Sequence, residues 1–295
     1  MKKCLLCHKP YAQNEDSCPF CGFEPEQRQG IFLFAPELAV EGANFKSSAF
    51  SSLAKREEKS FWFVNRSKLI AYFLHSYAKN MQNFMEIGCG TGYVVSCIHK
   101  EFPHIQITGA EVFTEGLKFA KGRLPNANFL QMDARKIPFV EEFDAIGAFD
   151  VLEHIKEDSV CLEQVHTALR QNGIFLATVP QHPSLWSSSD EEACHVRRYE
   201  RGELEKKLVD AGFQVLRSTS FVSLLLPVMY LARRLNRTKP TSTGPRAHDE
   251  LAPHPIVNGT LSLVMSLERA GIQAGLSFPF GGSRLVVARK SSPSV

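Results

Sequence analysis

The stretch Met85-Glu86-Ile87-Gly88-Cys89-Gly90-Thr91-Gly92-Tyr93 constrains this chain most, because it sets an acid and three alternating glycines between an apolar run and an amphipathic one. Glycine is needed where backbone turns sharply and approaches a ligand with no Cβ in the way. Residues 84–87 read as a short buried strand and 93–100 as the helix that follows it. A second strand over 105–110 ends at Glu111. An acid about 20 residues beyond such a turn is placed to meet ribose hydroxyls. The dinucleotide pattern G-x-G-x-x-G fits poorly, since its third glycine would fall on Tyr93.

The remainder alternates strand and helix. Strands are expected over 128–132, 143–149, 173–180, 213–219 and 285–288, with helices over 159–169 and 204–211. Asn172-Gly173 and Gly212 supply the two helix stops. This order predicts an α/β fold with a doubly wound parallel sheet. Ligands of such sheets bind outside the carboxyl ends of the strands. Gly88, Glu111, Asp133 and Asp150 all fall at such ends, which argues for one shared site.

The first 30 residues are of another kind. Cys4-Leu-Leu-Cys7 and Cys18-Pro-Phe-Cys21-Gly22 form two C-x-x-C pairs, the ligand set of a tetrahedral Zn2+ site. A segment this short cannot bury enough apolar surface to fold alone, so a structural zinc would stabilise it. Disulfide pairing would require an oxidising compartment. Cys4 to His8 also spells C-x-x-C-H, a haem attachment signature, but that leaves the second pair unexplained. No apolar run suits a signal peptide or a membrane span, so a cytoplasmic setting is expected. A net charge of +3 gives no electrostatic footprint for nucleic acid.

The pattern E-x-G-x-G-x-G from Glu86 to Gly92 resembles motif I of the class I S-adenosylmethionine-dependent methyltransferases, and the resemblance extends over roughly residues 60–290. It implies a Rossmann-like sheet of seven strands, the last antiparallel, with S-adenosylmethionine as cofactor. It places the methionine part of the cofactor along Glu86, Gly88, Cys89, Gly90 and Gly92, the ribose on Glu111 with Val112 beside it, and the adenine at Asp133 and Ala134. Phe149-Asp150-Val151-Leu152-Glu153-His154 resembles the segment lining the methyl-transfer site. The run 179–199, with V-P-x-H-x-x-L-W-S-x-x-D and H-x-R-R-Y, is similar to a bacterial subgroup of the family.

If the acceptor is a hydroxyl, a base must take its proton, and His154, His195 and His182 are the candidates in that order. Trp62, Arg66, Trp186, Arg197, Arg198 and Tyr199 are candidates for acceptor binding. An equally weighted reading has Asp190 pair with Arg197 or Arg198 to brace the loop and Trp186 plug the core. The uncharged run 218–232, followed by Arg233, Arg234, Arg237 and Lys239, suits a lid helix or, second, an interfacial helix on an anionic membrane. A Pro/Ser/Thr-rich stretch comes next.

The expected layout is a zinc ribbon at 1–30, a helical cap and linker at 31–83, the methyltransferase domain at 84–290 with an insertion at 220–275, and a tail at 291–295. The implied function is methyl transfer to a small-molecule or lipid-like acceptor, with an oxygen favoured. The alternatives are RNA methylation, with the ribbon gripping nucleic acid, and an interaction module with an inactive fold. Against RNA stands Phe149-Asp150-Val151-Leu152, where such enzymes carry N-P-P-Y or D-P-P-Y.

Overall fold

The computed structural model describes residues 1–12, 14–39, 48–236 and 254–291. Short strands β1 (Lys2–Lys3) and β2 (Pro10–Tyr11) pair with each other, and β3 (Glu26–Arg28) turns back into β4 (Ile31–Leu33). Two helices follow, α1 (Ser48–Arg56) and α2 (Phe61–Tyr77). The alternating region runs β5 (Asn83–Ile87), α3 (Tyr93–Glu101), β6 (Gln106–Glu111), α4 (Thr114–Arg123), β7 (Asn128–Gln131), β8 (Phe143–Phe149), α5 (Asp158–Ala168) and β9 (Leu169–Pro180). After it come α6 (Ser188–Glu192), α7 (Glu203–Asp210), β10 (Phe213–Phe221), α8 (Leu226–Asn236), α9 (Pro255–Gln273) and β11 (Ser283–Lys290).

The main sheet is ordered β10-β11-β9-β8-β5-β6-β7-β4-β3. Its centre is parallel, and β11 lies antiparallel between β10 and β9. The near-continuous apolar strands follow from helices covering both faces. Along β5, Phe84 packs into one core while Met85 and Ile87 enter the other; along β8, Ala145 and Phe149 oppose Ile146 and Ala148. The strand order reverses between β5 and β8, which opens a crevice at the carboxyl edge.

Two expectations are corrected. Among the described residues the sheet has nine strands, not seven, because β4 pairs in parallel with β7 and brings β3 with it. The beginning of the expected helical cap is therefore strand. Its anchor is Gln131, whose side chain accepts from Ala35 N–H at 3.0 Å and donates to Ala35 O at 2.6 Å. The 218–232 segment is likewise not one helix, since β10 runs to Phe221 and α8 begins only at Leu226. Glu268 of α9 ties the intervening turn by accepting from Ser223 and Leu224 N–H at 2.7 and 2.8 Å. Arg237, Lys239, the Pro/Ser/Thr-rich stretch and the tail from 292 lie outside the described residues.

The cysteine-bearing hairpin docks on the sheet domain. Lys3 N–H donates to Pro138 O at 2.9 Å, Val140 N–H to Met1 O at 3.0 Å, and Lys3 Nζ to Gln164 Oε1 at 3.1 Å. Among the described residues, no helix is long and apolar enough to cross a membrane.

Candidate active site and metal centre

The glycine turn joins β5 to α3, and Gly88, Gly90 and Gly92 all adopt positive φ, between 52° and 75°. Any larger residue would meet more than strain at two of them. A Cβ on Gly88 would lie 2.3 Å from Val151 Cγ2, and one on Gly92 would lie 2.7 Å from Ala120 Cα. Thr91 is fixed from outside the turn, its hydroxyl donating to the buried Glu57 carboxylate at 2.7 Å, with Arg123 Nη1 on Glu57 at 2.8 Å.

Glu111 ends β6 and is buried. Its Oε2 accepts from Gly90 N–H at 3.0 Å, and its Oε1 from Val112 and Phe113 N–H at 2.8 and 3.2 Å. Burial raises its pKa, and the three backbone donors oppose that rise. Asp133, beyond β7, accepts from Arg135 N–H at 2.8 Å and Arg135 Nε at 3.0 Å, and Arg135 Nη1 reaches Glu157 at 2.9 Å.

A cavity of about 490 Å³ lies across these strand ends. Gly88, Glu111, Val112, Asp133, Ala134 and His154 all line it, so the structure brings six of the expected residues to one space. That volume lies within the usual range for small-molecule and cofactor pockets. Sequence reasoning placed Val151 in the site but missed the rest of the apolar wall, Leu38, Phe50, Phe113 and Ile155, and the contribution of Cys194 and Val196. Leu38 and Phe50 belong to a stretch without periodic pattern, so no local signal marks them.

Other expected residues stand behind this wall. Cys89 is buried and its thiol is pushed well up by desolvation. Glu86 is buried with an Oε2 that accepts no hydrogen bond, and burial raises its pKa to about 8, against the pull of nearby Arg66. Arg66 is itself buried, paired with Asp150 and stacked over the Trp62 ring with its guanidinium carbon 4.2 Å from the ring centre. Asp150 also accepts from Thr178 Oγ1 at 3.1 Å.

The loop residues offered for acceptor binding have internal partners. Arg198 is buried and donates to Asp190 Oδ1 at 2.7 Å and Gln181 O at 3.2 Å. Arg197 reaches Lys156 O at 2.7 Å and Asp158 at 2.9 Å, and the Tyr199 hydroxyl donates to Asp158 at 2.7 Å from full burial. Trp186 is half-buried with its Nε1 3.4 Å from Glu191. The Asp190–Arg198 pair is the brace that the alternative describes, whereas Trp186, half-buried, does not plug the core.

The histidines separate as well. His182 stacks on Phe280 at 5.9 Å and does not line the cavity, whereas the His154 and His195 rings stand 4.8 Å apart. His195 Nδ1 lies 2.9 Å from Asp190 Oδ1. His154 keeps contact with solvent, yet desolvation and, second, the neighbouring His195 lower its pKa to about 4.

At the amino-terminal hairpin the four sulfurs converge, with Cys4 and Cys21 Sγ 3.6 Å apart and Cys7 and Cys18 Sγ 3.7 Å apart. A tetrahedral zinc with Zn–S bonds of about 2.3 Å requires sulfur separations of about 3.8 Å, so the four thiols fit that ion. The two knuckles repeat one turn: His8 N–H bonds Cys4 O at 3.0 Å and Gly22 N–H bonds Cys18 O at 2.9 Å. All four cysteines are free of disulfides.

Residues 85–177 match the family model described as a methyltransferase domain. The match covers less than half of the chain, and over it the segment resembles methyltransferase domains. The chain is 22% identical over 161 residues to a "probable S-adenosylmethionine-dependent methyltransferase" of Mycobacterium tuberculosis, covering 52% of this chain and 56% of that protein. It is 29% identical over 135 residues to a fatty-acid O-methyltransferase of Mycolicibacterium smegmatis, covering 45% and 44%. The chain thus spans about half the length of these curated relatives. In fold it is similar to phosphoethanolamine N-methyltransferase 2 of Haemonchus contortus in complex with S-adenosyl-L-methionine, at TM-score 0.56 and 17% identity over 86% of this chain and 59% of that one.

Proposed function

We propose that this chain binds S-adenosylmethionine in the strand-end cavity and transfers its methyl group to an oxygen of a small or lipid-like acceptor. The observation that carries the reading is Glu111: its carboxylate holds the glycine turn at Gly90 and still faces the same cavity as Gly88 and His154. In this reading the bare backbone of Gly88 to Gly92 passes the methionine part, Glu111 accepts the ribose hydroxyls, and Asp133 with Ala134 borders the adenine. When bound, the cofactor supplies a methyl group already activated by a sulfonium.

The protein's own work is then alignment and exclusion of water. Leu38, Phe50, Phe113, Val151 and Ile155 wall the cavity. His195, its Nδ1 held by Asp190, leaves Nε2 as the ring atom able to receive a proton, and His154 lines the cavity against that ring. His182 has no place in this step.

A lipid-like acceptor is supported by the fatty-acid O-methyltransferase relative and by an apolar surface outside the cavity. Val228 and Leu231 on α8, and Ile256, Leu263 and Leu267 on α9, are exposed. Peripheral membrane contact through 218–239 belongs to the same reading. Among the described residues, none from this region lines the cavity, which favours surface contact over a cofactor lid. The four thiols of the ribbon hold a structural zinc. The test is incubation of labelled S-adenosylmethionine with fractionated cell extract. Label entering lipid or small-molecule fractions supports the proposal. Label entering RNA overturns the acceptor class, and failure both to bind the cofactor and to transfer label overturns the activity.

A further inference from the structure

A second cluster borders the same cavity and is unexplained by cofactor binding. The 3₁₀ turn Leu152–His154 follows β8 and leaves the Glu153 side chain fully buried, with neither carboxylate oxygen accepting a hydrogen bond. A buried carboxylate is costly unless it is paired or coordinates a metal. Its surroundings do not pair it. Asp150, Arg66 and Arg198 are the charged groups acting on it besides His195, but Arg66 is taken by Asp150 and Arg198 by Asp190. Both guanidiniums are thus engaged by other carboxylates, and burial, with the Asp150 charge second, pushes the Glu153 carboxyl well above the usual carboxylate range.

The nitrogen donors beside this carboxyl are imidazoles. His195 Nε2 lies 3.8 Å from Glu153 Oε1, and one donor atom each from Glu153, His154 and His195 fall within 4.8 Å of one another. The outer contacts orient both rings for ligation. Asp190 on His195 Nδ1 leaves Nε2 with its lone pair toward Glu153, and a backbone hydrogen bond from His154 to Cys194 leaves the other His154 nitrogen available. A histidine ligand normally has its far nitrogen held by a carboxylate or carbonyl in this way.

We propose that Glu153, His154 and His195 form a divalent-cation site at the acceptor end of the cavity. Two imidazoles and one carboxylate suit Mn2+, Fe2+, Co2+ or Zn2+ and leave open positions. His154 puts those positions at the cavity wall. The role of the ion, though not its binding, rests on the methyl-transfer reading: it would lower the pKa of a coordinated acceptor hydroxyl. With His195 Nε2 on the ion, the hydroxyl proton passes to water in place of that ring, the oxygen forms a bond to the methyl carbon, and the carbon–sulfur bond breaks with its electron pair left on sulfur.

The test is Mn2+ titration of the full, zinc-loaded chain, followed by electron paramagnetic resonance. Mn2+ prefers oxygen and nitrogen donors, so it leaves the four thiolates to zinc. The expected result is saturable binding of a single Mn2+ that Glu153→Gln and His195→Asn each weaken at least about tenfold. Because both side chains are enclosed, His154→Ala at the accessible position serves as a further variant, with circular dichroism reporting the fold of each. Absence of Mn2+ and Co2+ binding in the zinc-loaded wild type overturns the proposal, as does binding that all three substitutions leave unchanged. Calorimetry with S-adenosylmethionine on the same samples separates the two readings. Cofactor binding without Mn2+ binding sinks the cation site alone, and Mn2+ binding without cofactor binding sinks the methyl-transfer reading.

Discussion

Glu111→Gln is the substitution whose consequences can be worked furthest. The carboxylate has about four lone-pair positions across its two oxygens. Gly90, Val112 and Phe113 N–H groups occupy three of them, so a position remains toward the cavity. The amide keeps the shape but replaces one acceptor oxygen with a donor, which must face either the backbone N–H of Gly90 or those of Val112 and Phe113. One buried donor set against another costs about 1–3 kcal/mol. For a domain of this size that lowers the melting temperature by several degrees. Cofactor binding also loses a hydroxyl bond to a charged carboxylate, which contributes about 1.5–3 kcal/mol. At about 1.4 kcal/mol per decade, its loss weakens affinity between about tenfold and a hundredfold. Calorimetric titration with S-adenosylhomocysteine, well below the melting temperature, measures the effect. A dissociation constant changed less than about threefold, with the melting temperature lowered, would mean that Glu111 only staples the Gly90 turn, and the ribose assignment would be refuted.

Gly88→Ala should destabilise the fold and abolish cofactor binding, since the new methyl lies 2.3 Å from Val151 Cγ2 at a φ of 66°; Val151→Ala in the same chain should recover part of the stability in denaturant melts. Glu86→Gln tests the carboxyl whose pKa burial raises to about 8. The folded protein keeps a proton that the unfolded chain releases near the ordinary value of 4.5, so wild-type stability falls as pH rises from about 4.5 to about 8. The stability difference in favour of the Gln variant should therefore grow across that window and level off outside it, and a pH-independent difference would contradict the burial argument. Cys18→Ser should release the ribbon's zinc and remove hydrogen-exchange protection from residues 1–24 while β5 to β9 stay protected; retained zinc would rule out the four-thiolate site.

The parts legible in the sequence were those written locally. The glycine turn, the acids closing β6 and β7, and the paired cysteines each fall within a few residues of the feature they serve, and apolar runs bounded by glycine mark the central strands. What was illegible depends on distant partners. Strands β3 and β4 are three residues each and exist through β7 and the Gln131 side chain, about 100 residues away in sequence. An Asp190 pair was readable for one arginine of the 179–199 run, but nothing local reveals that Asp158 and the Gln181 carbonyl would also take them. His154 and His195 were both named as bases, but their approach to each other and to the unbonded Glu153 requires the loop after β9 to fold back onto the end of β8. The same folding back brings Cys194 and Val196 to the cavity.

A co-crystal structure with S-adenosylhomocysteine reads the central claim most directly. The account requires the nucleoside to lie across the carboxyl ends of β5, β6 and β7, with the ribose on Glu111, the adenine beside Asp133 and Ala134, and the thioether end toward His154. A nucleoside seated elsewhere, or this cavity left without it at saturating ligand, would contradict it.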